Sequence, residues 1–293
     1  MTIRWMLNTF FTIFCAASLF AQNTENYPVP DNVSVERDIV FGTGGGRDLK
    51  LNLFRPKSGN GPFPGIVFIH GGGWRNGSPT AFERQALRLA STGYVAICIE
   101  YRLSGEATFP AAIEDSKCAV RWLRANAKQY AVNPDKIAVS GGSAGGHLSL
   151  LVGTSGGVAE LEGTGGHTGV SSAVQLVIAF NPVSYFPIKP DNPMIQVTSF
   201  LGGTVDEVPE AYRKASPPTW LDTGDPPMLL LHGTNDTTVP HQQSVKFMVE
   251  LTKMKVLSKL YSEEGGGHGW FNRDPYYEPT YKALQYWLDV HFK

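Results

Sequence analysis

Residues 137–147, Ile-Ala-Val-Ser-Gly-Gly-Ser-Ala-Gly-Gly-His, hold the side chain best placed for chemistry in this chain. The β-branched pair Ile137 and Val139 predicts a strand, and Leu148, Leu150, Leu151 and Val152 predict a helix, so Ser143 falls on the turn between them. Gly141 and Gly145 flank it in G-x-S-x-G spacing. The spacing has a steric cause: in so tight a turn the serine takes positive φ, and side chains at the flanking positions would strike neighbouring strands. The hydroxyl would then stand above the end of a sheet as a nucleophile. A glycine-rich strand-to-helix turn also suits a phosphate group, and the motif alone leaves both readings open.

A serine hydroxyl is a poor nucleophile until a base takes its proton and donors receive the oxyanion that forms. His70-Gly71-Gly72-Gly73-Trp74 follows the apolar run 66–69. Its glycines let amides approach a ligand closely, so the N–H groups of Gly72 and Gly73, with that of Ala144, are candidate oxyanion donors; a plain strand-ending turn is the alternative. For an acid, Asp236 lies in His232-Gly233-Thr234-Asn235-Asp236-Thr237-Thr238-Val239-Pro240, after the run 228–231. An aspartate capping a helix reads the same way. Asp222 and Asp225 precede that run, at its wrong end. For a base, His268 lies in Gly265-Gly266-Gly267-His268-Gly269-Trp270, between the last predicted strand and the last helix. His70 and His232 read as strand-end residues, His147 belongs to the helix after Ser143, His241 starts a helix, His167 is in a glycine-rich loop and His291 is terminal. His268 alone completes the order serine, acid, histidine that goes with this type of turn.

These residues need elements to hold them. Residues 33–41 and 49–54 alternate apolar and polar side chains around a Gly44-Gly45-Gly46 run, which predicts an antiparallel hairpin. From residue 65 buried strands (66–69, 95–99, 137–139, 174–180, 228–231, 258–261) alternate with helical patterns (81–90, 111–127, after Ser143, 243–254, 278–291). That alternation predicts a mainly parallel sheet covered by helices on both faces. Residues 153–169, rich in Gly, Thr and Ser, predict a mobile surface loop. Residues 181–227, rich in proline and carrying Tyr185, Phe186, Phe200 and Trp220, predict an insertion that caps the sheet's carboxyl edge.

The 293 residues, 42% of them hydrophobic, suffice for one large α/β domain. A formal charge of −1 without a basic block makes nucleic acid and anionic membranes poor partners. Arg4 followed by the apolar run 5–20 and Ala21 has the layout of a cleaved signal peptide over residues 1–21, which implies a secreted or periplasmic chain over 22–293. The run is shorter than the roughly 20 apolar residues of a spanning helix and is interrupted by Asn8 and Thr9, so no stable membrane span is expected after cleavage. Cleavage leaves Cys98 and Cys118, either two buried thiols or one disulfide. No H-E-x-x-H or Cys/His cluster suggests a metal.

The set His70–Trp74, Gly141–Gly146, His232–Pro240 and Gly266–Trp270 resembles the α/β-hydrolase esterases and lipases, most closely bacterial carbohydrate esterases of the feruloyl and acetyl-xylan esterase type. Tyr101-Arg102, Phe109-Pro110-Ala111-Ala112 and residues 115–122 resemble that branch too. The resemblance covers nearly all of the chain after the leader and implies an α/β-hydrolase fold with an eight-stranded, mainly parallel sheet. It implies Ser143 as nucleophile, His268 as general base and then acid, Asp236 as the group that orients His268, and two-step acyl transfer without cofactor or metal. The implied substrate is a small-molecule or polysaccharide ester with a short acyl, acetyl or feruloyl group. Trp74, Tyr185, Trp270 and Phe271 either line its pocket or pack the insertion against the core. An arylformamidase also pairs a His-Gly-Gly turn with this elbow, but fits a secreted chain less well. A small serine peptidase of the prolyl-oligopeptidase type would usually add a propeller, for which the stretch before the core is too short. A hydrolase-fold binding module without activity usually lacks a member of the serine, acid and histidine set, and all three are present here.

Overall fold

Eight strands form one sheet in the order β1-β2-β4-β3-β5-β6-β7-β8. The computed structural model describes residues 27–188 and 194–293, so the expected leader over 1–21 lies outside the described residues. β1 (Val33–Gly44) and β2 (Arg47–Pro56) are the predicted hairpin, extended to Gly44 and Arg47 around a two-residue Gly45-Gly46 turn, both at positive φ. That turn twists in the sense its strands require, so pairing continues through what reads in the sequence as a longer loop. β2 runs antiparallel to β4 (Val95–Ile99). β3 (Phe63–Ile69), β5 (Val132–Gly142), β6 (Leu176–Phe180), β7 (Met228–Gly233) and β8 (Ser258–Glu263) all run parallel to their neighbours, as β4 does to β3. The eight-stranded, mainly parallel sheet is as the sequence predicts.

Alternation along the strands divides the interior in two. Val67, Ile69, Ile97, Val139, Val177 and Leu230 face one core, packed under α2 (Ala111–Ala125), α4 (Ala144–Thr154) and α7 (Gln242–Lys253). Ile66, Phe68, Ala96, Ala138, Ile178 and Leu229 face the other, under α1 (Glu83–Ser91) and α8 (Tyr277–Phe292). Strands buried on both faces read as continuous apolar runs, which is why β3 and β4 carry no polar alternation. Cys98 lies in one core and Cys118 in the other, and both are free thiols.

Parallel strands point their carboxyl ends the same way. Ile69 is level with Gly141, Gly142 with Phe180, Phe180 with Leu231, and Leu231 with Tyr261. The loops that follow β3, β5, β6, β7 and β8 therefore emerge side by side along one edge.

Between β6 and β7 the chain forms α5 (Ile195–Leu201), α6 (Pro209–Ala215) and a 3-10 turn at Pro217–Thr219. Trp74, whose indole stacks on Phe200 with centroids 4.5 Å apart, joins α5 to the loop after β3. The segment 153–169 differs from the loose surface loop its composition predicts. Leu161 is buried, Thr43 donates its amide to the Gly165 carbonyl at 2.7 Å, and Glu162 pairs with Lys117 at 3.0 Å and Arg121 at 2.8 Å. Lys117 is completely buried and Arg121 nearly so; burial pushes the Lys117 ammonium below its usual range, against the pull of Glu162. The cations that tie the segment down come from α2, so they leave no trace in its own composition. Glu162→Ala removes the one carboxylate that pairs with both among the described residues, and is expected to cost about 2 to 4 kcal/mol by urea unfolding. A change under about 0.5 kcal/mol would mean that backbone carbonyls alone satisfy the two cations.

Candidate active site

Ser143 sits between β5 and α4 at φ 57°, ψ −118°. A non-glycine residue there stores on the order of 1 to 3 kcal/mol and persists only where its surroundings impose it. Here they do. The Ser143 amide donates to the Phe180 carbonyl at 2.9 Å, and the Ser143 carbonyl accepts from the His147 amide at 2.9 Å. A Cβ on Gly145 would lie 2.0 Å from the Ile69 carbonyl oxygen, and one on Gly141 would lie 2.5 Å from the oxygens of both Ile69 and Gly145. The first turn of α4 is thus pressed against the backbone of β3, and only glycine fits at either contact.

The hydroxyl that this turn presents has a partner. Ser143 Oγ lies 2.9 Å from His268 Nε2, and His268 Nδ1 lies 2.7 Å from Asp236 Oδ2. Protonated at Nδ1, His268 donates to the carboxylate and leaves Nε2 to accept from the serine. The other Asp236 oxygen accepts the amides of Thr238 and Val239, each at 2.9 Å. Burial opposes the charge on Asp236, but hydrogen bonds from His232 and His268 and the Val239 amide outweigh it and hold the carboxyl well below its usual range. His232 is itself fixed: its Nε2 donates to the Val239 carbonyl at 2.9 Å and its Nδ1 accepts from Ser244 Oγ at 2.7 Å. A hydroxyl, a neutral imidazole and a buried carboxylate in one line can take a proton from the nucleophile and return it to a leaving group.

The loop after β3 approaches from the other side. Gly72, Gly73 and Trp74 have φ of 109°, 62° and 57°, and the Gly72 carbonyl turns away to accept the Arg75 and Asn76 amides at 3.2 Å each. The amides of Gly72, Gly73 and Ala144 donate to none of the described turn and cap carbonyls. His70 is buried and stacked on Tyr101, with centroids 4.3 Å apart; burial lowers its pKa to about 4, and its neutral ring meets the Gly71 carbonyl at 2.8 Å. A cleft of about 520 Å3 opens over Ser143 and His268, bounded also by Gly71, Gly72, Asn181 and Phe271.

Residues 51–251 match the BD-FAE family model. The chain belongs to the BD-FAE family. It is 32% identical over 219 residues to the esterase LipC of Mycobacterium tuberculosis, a match covering 71% of this chain and 53% of LipC. The chain spans about half the length of the curated relatives it matches. Among solved structures, a truncated carbohydrate esterase from gut microbiota superposes with a TM-score of 0.79 at 26% identity, covering 89% of this chain and 99% of that one. The propionate-bound esterase 2 of the planctomycete Thermogutta terrifontis gives 0.75 at 30% identity, covering 89% and 94%. The sheet and helices described above are those of the α/β-hydrolase fold that these esterases share.

Of the residues singled out in the sequence of this BD-FAE member, Ser143, Asp236 and His268 come together, with Gly72 at the cleft wall. Ala144 opens α4 beneath the serine, and Gly73 faces Gln196 of α5. Asp222 and Asp225 stay at the amino end of β7, where the Asp222 amide donates to Asp225 at 3.1 Å. Among the four aromatic candidates only Phe271 lines the cleft. Trp74 is buried against Phe200 and donates its indole N–H to His147 at 3.3 Å, Tyr185 packs on Phe247, and Trp270 is buried in a stack with Tyr261. Asn181 and Phe82 were not visible as site residues. Asn181 simply follows β6, yet it is completely buried, its amide lies 3.4 Å from His268 Nδ1, and its Oδ1 has no hydrogen-bond partner among the described residues. Gly145→Ala is expected to abolish the folded elbow, seen as loss of soluble protein or a collapse of the melting temperature. A variant that melts with the parent would mean that α4 is free to withdraw from β3.

Proposed function

We propose that the chain is a serine carboxylic-ester hydrolase working through an acyl-enzyme. The single observation that carries this reading is the continuous hydrogen-bonded line Ser143, His268, Asp236 at the carboxyl edge of the sheet. Ser143 attacks the ester carbonyl as His268 takes its proton. The amides of Gly72, Gly73 and Ala144 receive the oxyanion; His268 then protonates the departing alcohol, and a water activated by the same ring releases the acid. Asp236 keeps the imidazole in the tautomer and orientation that each step needs, and stabilises the imidazolium that forms twice per turnover.

The substrate class we favour is a short acyl ester, including acetyl or feruloyl groups on carbohydrate. Support comes from the carbohydrate esterase and the propionate-bound esterase among the structural relatives, and from a cleft of about 520 Å3, ample for a ring with a short acyl chain. We further propose that residues 22–293 form a single catalytic domain in which the segment 181–227 caps the site, and that the apolar leader over 1–21 directs secretion. Among the described residues, no helix is long and apolar enough to cross a membrane.

Ser143→Ala is expected to lower kcat for p-nitrophenyl acetate or butyrate by at least about 10^3-fold while leaving the thermal transition in place. Surviving activity would place the nucleophile elsewhere. Asp236→Asn is expected to keep KM near the parent value and reduce kcat by about 10^4-fold, because the amide would favour the wrong tautomer of His268. If Asp225→Asn caused that loss instead, the orienting acid would be misassigned.

A further inference from the structure

The cleft is not uniform. Ring carbons of Phe271 and Phe82 stand 2.7 and 3.4 Å from where a Cβ on Gly142 would lie, so the wall next to the nucleophile is apolar. The same cleft is also lined by Arg84, Gln85, Asn272 and Arg273, and among the described residues its lining contains no aspartate or glutamate. Gln85 is only 3% exposed and donates to Asn272 Oδ1 at 2.5 Å, which fixes an amide pair in that wall.

Arg84 packs over an aromatic ring. Its guanidinium carbon lies 3.4 Å from the centroid of the Tyr277 ring and 5.7 Å from that of Tyr27. A guanidinium packed over an aromatic ring can still offer its N–H groups to a carboxylate in two-point geometry. The carboxylates beside it in the fold are already engaged: Glu83 pairs with Arg37, and Glu278 with Arg88 at 2.6 Å. Arg84, Arg273 and Asp274 enter none of the described ion pairs. Two arginines on a cleft whose described lining holds no carboxylate make a field that favours an anion.

Building on the esterase reading above, we propose that this cleft takes an ester that itself carries a carboxylate, with the carboxylate at Arg84 and Arg273 and the ester carbonyl at Ser143. The carboxylate belongs either to the alcohol, as in an acylated uronic acid, or to the acid, as in the monoester of a dicarboxylic acid.

Two matched pairs of substrates separate these sources. One is 4-acetoxybenzoate against its methyl ester, with the charge on the leaving group. The other is 4-nitrophenyl hemisuccinate against 4-nitrophenyl butyrate, with the charge on the acyl group. The anionic-to-neutral ratio of kcat/KM is expected to fall about tenfold in at least one pair when Arg84→Gln and Arg273→Gln are combined. It should also shrink in the parent as salt is raised to about 0.5 M, because both guanidinium groups reach solvent. A ratio unchanged in both pairs overturns the proposal. Arg273→Gln alone, at an exposed position, covers the case in which loss of the Arg84 stack on Tyr277 unfolds the protein: a fall of about threefold is expected, and no change again overturns the proposal. If the parent failed to hydrolyse even the neutral esters, the esterase reading itself would fall, a result distinct from an unchanged ratio.

Discussion

The contact on which the site depends is between backbones. The first turn of α4 lies so close to the end of β3 that the carbonyl oxygen of Ile69 occupies the space a methyl group would need on Gly141 or Gly145. That proximity forces the turn between β5 and α4 through Ser143 at positive φ, a conformation serine would not adopt in isolation. The strain is offset by the hydrogen bonds that lock the turn on both sides, to Phe180 and from His147. His147 passes the constraint outward: its neutral ring accepts from the Trp74 indole and donates to the Ala215 carbonyl at 2.7 Å, with its pKa lowered to about 4 by burial. The glycine loop, the serine turn and the segment between β6 and β7 are therefore braced against one another.

Parallel register supplies the rest. Ser143, Asn181, Asp236 and His268 follow β5, β6, β7 and β8, and these strands end level with one another. Residues up to 125 positions apart meet because each lies just beyond a strand end, and neither the serine nor the histidine needs a long excursion to find its partner. Arg102 shows the same economy away from the chemistry: just after β4 it binds the buried Asp115 of α2 through both its backbone amide, at 2.8 Å, and its guanidinium. That ion pair gives a structural reason for the Tyr101-Arg102 and Asp115 elements of the sequence resemblance.

Much of this was legible before any coordinates. Apolar runs mark strands buried on both faces, and strict alternation marks the hairpin, so sheet composition could be read from periodicity. The Ser143, Asp236 and His268 set was legible because each lies in a glycine or turn signature directly after such a run. What sequence could not reveal is what depends on distance across the fold. Trp74 and Trp270 carry the large rings expected of a sugar-binding wall, but side-chain type does not tell which side of a wall a ring faces, and both are buried in packing. The segment 153–169 looked unattached because its anchors, Lys117 and Arg121, lie on a helix some 40 residues earlier. Asn181 and Phe82 have no motif at all, and their places at the cleft follow only from the strand register and the packing of α1.

The central claim is that Ser143 is an activated nucleophile, and covalent trapping tests it most directly. Folded protein treated with a serine-directed fluorophosphonate should gain one adduct per chain, mapped to Ser143 by peptide mass, and Ser143→Ala or urea-unfolded protein should gain none. An adduct at another residue, or no adduct on folded protein, would contradict the account.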